Sequence, residues 1–101
     1  MSTIAAISTP VGVGGISVIR VSGPNAFSVV GHHVTLPGVE GAHHSVGYSV
    51  FRQASEVIDE VVVTCFKGPH SFTGEDTVEV ACHGSLYVQQ AVLGALLESG
   101  A

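Results

Sequence analysis

Residues Val78–Glu98, VEVACHGSLYVQQAVLGALLE, change periodicity midway, and that change decides the fold class. Over Val78–Cys82 the residues alternate, with Val78, Val80 and Cys82 opposite Glu79 and Ala81, the two-residue repeat of a strand. Ser85 then offers a cap, and Leu86, Val92, Leu93, Leu96 and Leu97 mark the apolar face of a helix over Leu86–Glu98. Gly100 suits the position just past the end of that helix. A strand feeding directly into an amphipathic helix points to an α+β domain.

Upstream, Ile58–Phe66, IDEVVVTCF, is apolar on both faces and reads as a central strand, paired antiparallel with Val46–Phe51. Thr35–Ser45 carries Pro37 and no periodicity, so it reads as loop. Ser22-Gly-Pro-Asn opens a helix with Pro24 near its first position, and Ala26, Val30 and Val34 continue it as a stripe. Ile16–Ser22 is β-branched and short, a strand that sets Ile16, Val18 and Arg20 against Ser17, Ile19 and Val21. Ile4–Ile7 is a short apolar run stopped by Thr9-Pro10. The expected order is β-β-α-β-β-β-α, a mixed β-sheet with helices packed against it. A helix stop at Ser99-Gly100-Ala101 would ordinarily feed another strand, so residues 1–101 are expected to be a domain cut before its C-terminal end.

At 101 residues and 46% hydrophobic, the chain is one small domain that can build a core. Only 11% of residues are charged, the net charge is −5, and Arg20, Arg52 and Lys67 are the basic side chains. Nucleic-acid binding through counterion release needs clustered cations, so no nucleic-acid contact is expected of this chain alone. Cys65 and Cys82 lie in or beside apolar runs and read as small buried hydrophobes. The start, MSTIAAIS, has neither a basic n-region nor a long apolar stretch, so no membrane association and a cytoplasmic location are expected.

Four features invite a chemical reading. Gly12-Val-Gly14-Gly15 lacks a following Gly-Lys-Ser/Thr and precedes a strand, so it is a turn or a place where a ligand approaches the backbone, not a nucleotide loop. The pairs His32-His33 and His43-His44, with Cys65 and Cys82-His83, have no metal-ligand spacing. Arg20 is the cation inside a strand. It is either the structural partner of Glu79 or a fork for a ligand's carboxylate or ring oxygen. Gly68–Gly84, GPHSFTGEDTVEVACHG, gathers turn formers and carboxylates. It is either a solvated tip or a loop that grips an aminopyrimidine through a carboxylate.

The segments TIAAISTPVGVGGISVIRVSGPNAF (Thr3–Phe27) and DEVVVTCFKGPHSFTGEDTVEVACHGS (Asp59–Ser85) resemble the N-terminal domain of the MnmE, or TrmE, family of tRNA modification GTPases. Together they cover about half of the chain, and SFTGED followed by VEVACHG is the specific part, whereas Gly31–Ser55 matches loosely. The resemblance implies a tetrahydrofolate-binding and homodimerisation module, similar in fold to the folate domains of glycine-cleavage-type aminomethyltransferases. It further implies a full-length GTPase that, with its partner MnmG, modifies C5 of the wobble uridine of certain tRNAs. A 5-formyl- or 5,10-methylene-tetrahydrofolate would supply the one-carbon unit, while GTP, magnesium and potassium would belong to the full-length protein. Carried onto this sequence, Arg20 and Glu79 are the expected charged contacts. Thr73, Gly74 and Glu75 form the loop edge, and His83 and Gly84 close the strand end. No catalytic residue and no metal ligand is expected. The chain lacks the family's P-loop, helical domain, C-terminal cysteine motif and Pro-Gly-Glu-Phe segment, so no activity is expected of it alone. Two rivals remain open: a fragment of a folate-dependent aminomethyltransferase-like enzyme, and a purely structural dimerisation domain.

Overall fold

The computed structural model describes residues 2–8, 15–38, 44–69, 71 and 73–101. The stop at Thr9-Pro10, Gly12 and Gly14, His43, His70 and Phe72 lie outside the described residues.

The chain runs β1 (Ile4–Ile7), β2 (Ile16–Ser22), α1 (Ala26–Gly31), β3 (His44–Gln53), β4 (Glu56–Phe66), β5 (Thr77–His83) and α2 (Leu86–Glu98). The element order matches the sequence reading. The strands form one five-stranded sheet in the order β1-β2-β5-β4-β3. Each neighbouring pair is antiparallel, which corrects the expected mixed sheet. The reason lies in the connections. The link through α1 carries the chain from β2 to the far edge, and β3, β4 and β5 return as a meander, so that β5 closes against β2 in opposite direction.

Alternation along each strand builds two unlike faces. Ile19 and Val21 of β2, Val61, Val63 and Cys65 of β4, and Val78, Val80 and Cys82 of β5 are buried. They form the core with Ala26, Val29 and Val30 of α1, Phe51 of β3, and Val92, Ala95 and Leu96 of α2. α2 packs across β1, β2, β4 and β5, while α1 packs on β2 and β5. Each fully buried aliphatic side chain of this set contributes about 1.5–3 kcal/mol by leaving water.

Local signals set the helix ends. Ser85 accepts a hydrogen bond from the Val88 N–H at 3.1 Å and caps α2. At the other end Ala101 N bonds Leu96 O, Gly100 N bonds Leu97 O, and Gly100 sits at φ 112°, which together make a Schellman stop. The expected apolar face of α2 is corrected in part. Leu86 and Leu97 are exposed, whereas Gln89 is buried, its Nε2 donating to the Gly84 carbonyl at 3.3 Å. In α1 the cap is Asn25, so Pro24 precedes the helix instead of opening it. The helix ends at Gly31, and Val34, although buried, lies beyond it. β3 begins at His44, two residues before the expected Val46, which takes His44 and Ser45 out of the expected loop.

The segment after α1 is fastened by His33, 6% exposed and stacked on Phe51 with ring centroids 4.9 Å apart. Nδ1 lies 2.8 Å from the Arg52 carbonyl and must carry the proton there. Nε2, 2.6 Å from Ser99 Oγ, then accepts from that hydroxyl. One buried ring thus joins the α1 exit, β3 and the end of α2.

Candidate functional site

With both helices on one face, the other face of the sheet is left open by the described residues. Its side chains fall in cross-strand rows fixed by the register. One row is Ala6, Arg20, Glu79, Thr64 and Val46; the next is Val18, Ala81, Val62 and Tyr48. The face is mainly apolar and wet: Ile4, Ile16, Val46, Tyr48 and Val62 are all exposed. An exposed apolar patch of this kind marks a surface that something covers.

Within it stands one ion pair. Arg20 and Glu79 are direct cross-strand partners. Arg20 Nε and Nη2 both donate to Glu79 Oε2, at 3.0 and 2.7 Å. The side chains retain 35% and 22% of their exposure, so the pair is neither buried nor freely solvated. Glu79 Oε1 accepts no hydrogen bond among the described residues.

Thr73, Gly74 and Glu75 lie beyond the Ser22–Thr77 end of β2 and β5. Thr73 Oγ1 is 2.7 Å from Ser22 Oγ, and Ser22 Oγ is 3.3 Å from Thr77 Oγ1, so a chain of hydroxyls fixes the loop to the sheet. Asp76 Oδ1 accepts the Gly68 N–H at 3.0 Å and Ser71 Oγ donates to the Glu75 carbonyl, closing the loop on itself. Gly74 sits at φ 79°, a conformation open to glycine. Glu75 Oε2 is buried with no hydrogen-bond partner among the described residues. These bonds tie the described part of the loop to the sheet, while Thr73 and Gly74 themselves remain exposed.

His83 and Gly84 lie at the opposite end of β5. The structure therefore brings Arg20 and Glu79 near the Thr73–Glu75 loop but sets His83 four residues from Glu79 along the strand, about 13 Å away. Gly84 N donates to the Gly15 carbonyl at 3.3 Å. His83 is held by a residue that sequence reasoning missed. Asp59 Oδ2 accepts the His83 backbone N–H at 2.8 Å, and Asp59 Oδ1 lies 2.8 Å from His83 Nδ1. Asp59 is nearly covered, at 11%, while His83 is 71% exposed. Its sequence signal was the adjacent carboxylates Asp59 and Glu60 near the start of a largely apolar strand run.

Beside His83 a shallow slot of about 290 Å³ is lined by Gly15, Ile16, Tyr48, Val62, Ala81 and His83. Tyr48 Oη donates to Glu60 Oε1 at its rim, and that bond raises the phenol's pKa above its ordinary value. Burial pushes the thiols of Cys65 and Cys82 up to about 11, with the Asp59 carboxylate adding to the effect on Cys82. Neither thiol has the electropositive setting of a nucleophile. Among the described residues no group of His, Cys, Asp and Glu could hold a metal ion. Likewise no helix is long and apolar enough to cross a membrane.

The family described as the GTP-binding protein TrmE N-terminus matches residues 3–101. The chain is 49% identical to the tRNA modification GTPase MnmE of Porphyromonas gingivalis over 97% of its own length and 22% of that protein's. It is 50% identical to the MnmE of Parabacteroides distasonis over 99% of its length and 23% of the relative's. With the Bdellovibrio bacteriovorus MnmE it shares 46% identity over 98% of its length and 21% of the relative's. The chain thus spans about a fifth of the curated relatives it matches.

Proposed function

The chain belongs to the TrmE N-terminus family, and on that footing we infer that it is the tetrahydrofolate-binding and homodimerisation module of a tRNA modification GTPase. In this reading residues 1–101 are most of one domain of a longer protein. That protein hydrolyses GTP with magnesium and potassium and, with MnmG, modifies C5 of the wobble uridine. The observation that carries the reading is an incompletely satisfied set of carboxylates beside an apolar surface. Among the described residues Glu75 Oε2 is buried without a partner, and Glu79 commits one oxygen to Arg20.

The donor set fits the group. The amino and ring N–H groups of a reduced pterin are the donors such carboxylate oxygens accept, and the exposed aliphatic side chains offer the ring a dry surface. Arg20, Glu79, Thr73, Gly74 and Glu75 would hold the ligand at one end, with His83 and Gly84 at the other. When bound, the folate supplies the one-carbon unit. The residues here bind and orient it and exclude water.

The open face also supports association of two copies, since Ile4, Ile16, Val46, Tyr48 and Val62 are too exposed for a face that stays in water. A purely structural role keeps one observation in its favour: the Arg20–Glu79 pair is already a complete ion pair. Equilibrium dialysis against 5-formyltetrahydrofolate, with sedimentation of the same sample, tests both halves. Saturable binding by a dimer is expected. A monomer that binds no folate overturns the reading.

A further inference from the structure

We propose that the outer edge of β3 carries a phosphate-binding site built around Arg52. The site is a depression of about 540 Å³ between the segment leaving α1 and β3, with His32, Thr35, Ser49, Val50 and Arg52 in its lining. β3 stands two strands from β5, at the far side of the sheet from the Arg20–Glu79 pair, and the proposal does not depend on the folate reading.

Three observations carry it. The first is charge. The chain has eight acidic residues and three basic ones, yet among the described residues no Asp or Glu lines this depression, while Arg52 does. The Arg52 side chain is exposed and makes no ion pair or hydrogen bond among the described residues. His32, also exposed, adds a second nitrogen-bearing side chain. Exposed charges more than about 8–10 Å away are largely screened, so the lining sets the local sign and the net charge of −5 does not.

The second is a buried hydroxyl whose proton is poorly used. Ser49, 7% exposed, accepts the Thr35 N–H at 3.0 Å, but its own proton finds only the Val50 carbonyl, 3.5 Å away and too far for an effective hydroxyl bond. The third is the strand edge. The Arg52 N–H turns outward and donates to the His33 carbonyl at 2.9 Å. N–H groups along an antiparallel strand alternate in direction, so the Val50 N–H, two residues back, faces the same outer edge, where no strand of the sheet takes it. A guanidinium fork, a hydroxyl and a backbone N–H therefore border one depression. A carboxylate presents its acceptors in a single plane, whereas the oxygens of a phosphate point in three dimensions and suit donors of such different origin.

Titration of the chain with inorganic phosphate at constant ionic strength, followed by ¹H–¹⁵N spectra, tests this, with chloride and acetate as control anions. The Val50 and Thr35 amides and Arg52 Nε should shift saturably, with half-saturation in the millimolar range expected of an open site with few donors. Arg52→Gln should weaken binding at least about fivefold with an unchanged melting temperature, since the side chain holds no other partner. Arg52→Lys should recover only part of the loss. Uridine 5′-monophosphate in place of phosphate separates the two sources of the group. Tighter binding assigns the site to a phosphate carried on a nucleotide, and equal binding assigns it to the free ion. Chloride producing the same shifts, or an Arg52→Gln variant that titrates like the wild type, would overturn the proposal.

Discussion

Arg20 and Glu79 face each other across β2 and β5, and the guanidinium sets two N–H groups on a single carboxylate oxygen, at 3.0 and 2.7 Å. Arg–carboxylate pairs frequently engage both oxygens in a fork. Here the second oxygen accepts no hydrogen bond among the described residues, and the cross-strand neighbour of Glu79 on its other side is Thr64. Partly exposed pairs of this kind contribute little to stability, about 0–1 kcal/mol. Arg20→Ala should therefore cost no more than that in thermal or denaturant unfolding, and a loss above 2 kcal/mol would assign the pair a structural role.

Gly23 is a firmer structural requirement. It sits at φ 142°, and a Cβ there would meet the Thr3 Cα at 2.6 Å and the Ser2 carbonyl at 2.8 Å. Both are backbone atoms that cannot swing away. Gly23→Ala should destabilise the fold by about 2–4 kcal/mol, through steric conflict and unfavourable φ together. Chemical denaturation measures it, and an unchanged midpoint contradicts the packing described.

The opposite sign is expected at Ala54. It occupies the left-handed region at φ 55°, in the two-residue turn left by the Gln53–Glu56 pair. Ala54→Gly removes the strain and should raise stability by about 0.5–1 kcal/mol. A lower melting temperature for the variant would count against the turn.

This turn also shows where the sequence became opaque. Gln53-Ala54-Ser55-Glu56 contains none of the Asn-Gly or Asp-Gly signals of a tight hairpin, so the strands seemed to end earlier, at Phe51 and Ile58. A register shift between Phe51 and Arg52 further blurs the alternation. By contrast, β2, β5 and the bounds of α2 were legible because period, cap and glycine stop all agree there. Gln89 misled because its amide is paid for by a turn carbonyl, a tertiary contact that polarity alone cannot reveal. At the site, the Arg20–Glu79 pairing could be read from two charges in two strands. Asp59 could not be matched to His83, since their contact depends on where β4 and β5 separate.

The cysteines yield a pH prediction. Folded-state pKa values of about 11 stand above the ordinary value of 9.0. A raised pKa means the neutral thiols stabilise the fold fully below pH 9, and that contribution is lost as pH rises from about 9 toward 11. Each thiol accounts for about 1–3 kcal/mol of that loss. Unfolding curves between pH 8 and 11 should show it, and Cys65→Ala with Cys82→Ala should flatten the slope. Alkylation at pH 8 should be far slower in the native chain than in denaturant. Equal rates would mean the thiols are accessible.

The most direct test of the central claim compares wild type, Arg20→Ala and Arg20→Lys by calorimetric titration with 5-formyltetrahydrofolate, each beside its melting curve. If Arg20 serves the ligand, Arg20→Ala should lose about 1.5–3 kcal/mol of binding with its melting temperature nearly unchanged. Arg20→Lys should recover little, because an ammonium lacks the planar pair of donors. Folate affinity that is unchanged in Arg20→Ala, alongside a lowered melting temperature, would contradict the account and leave Arg20 a structural partner of Glu79.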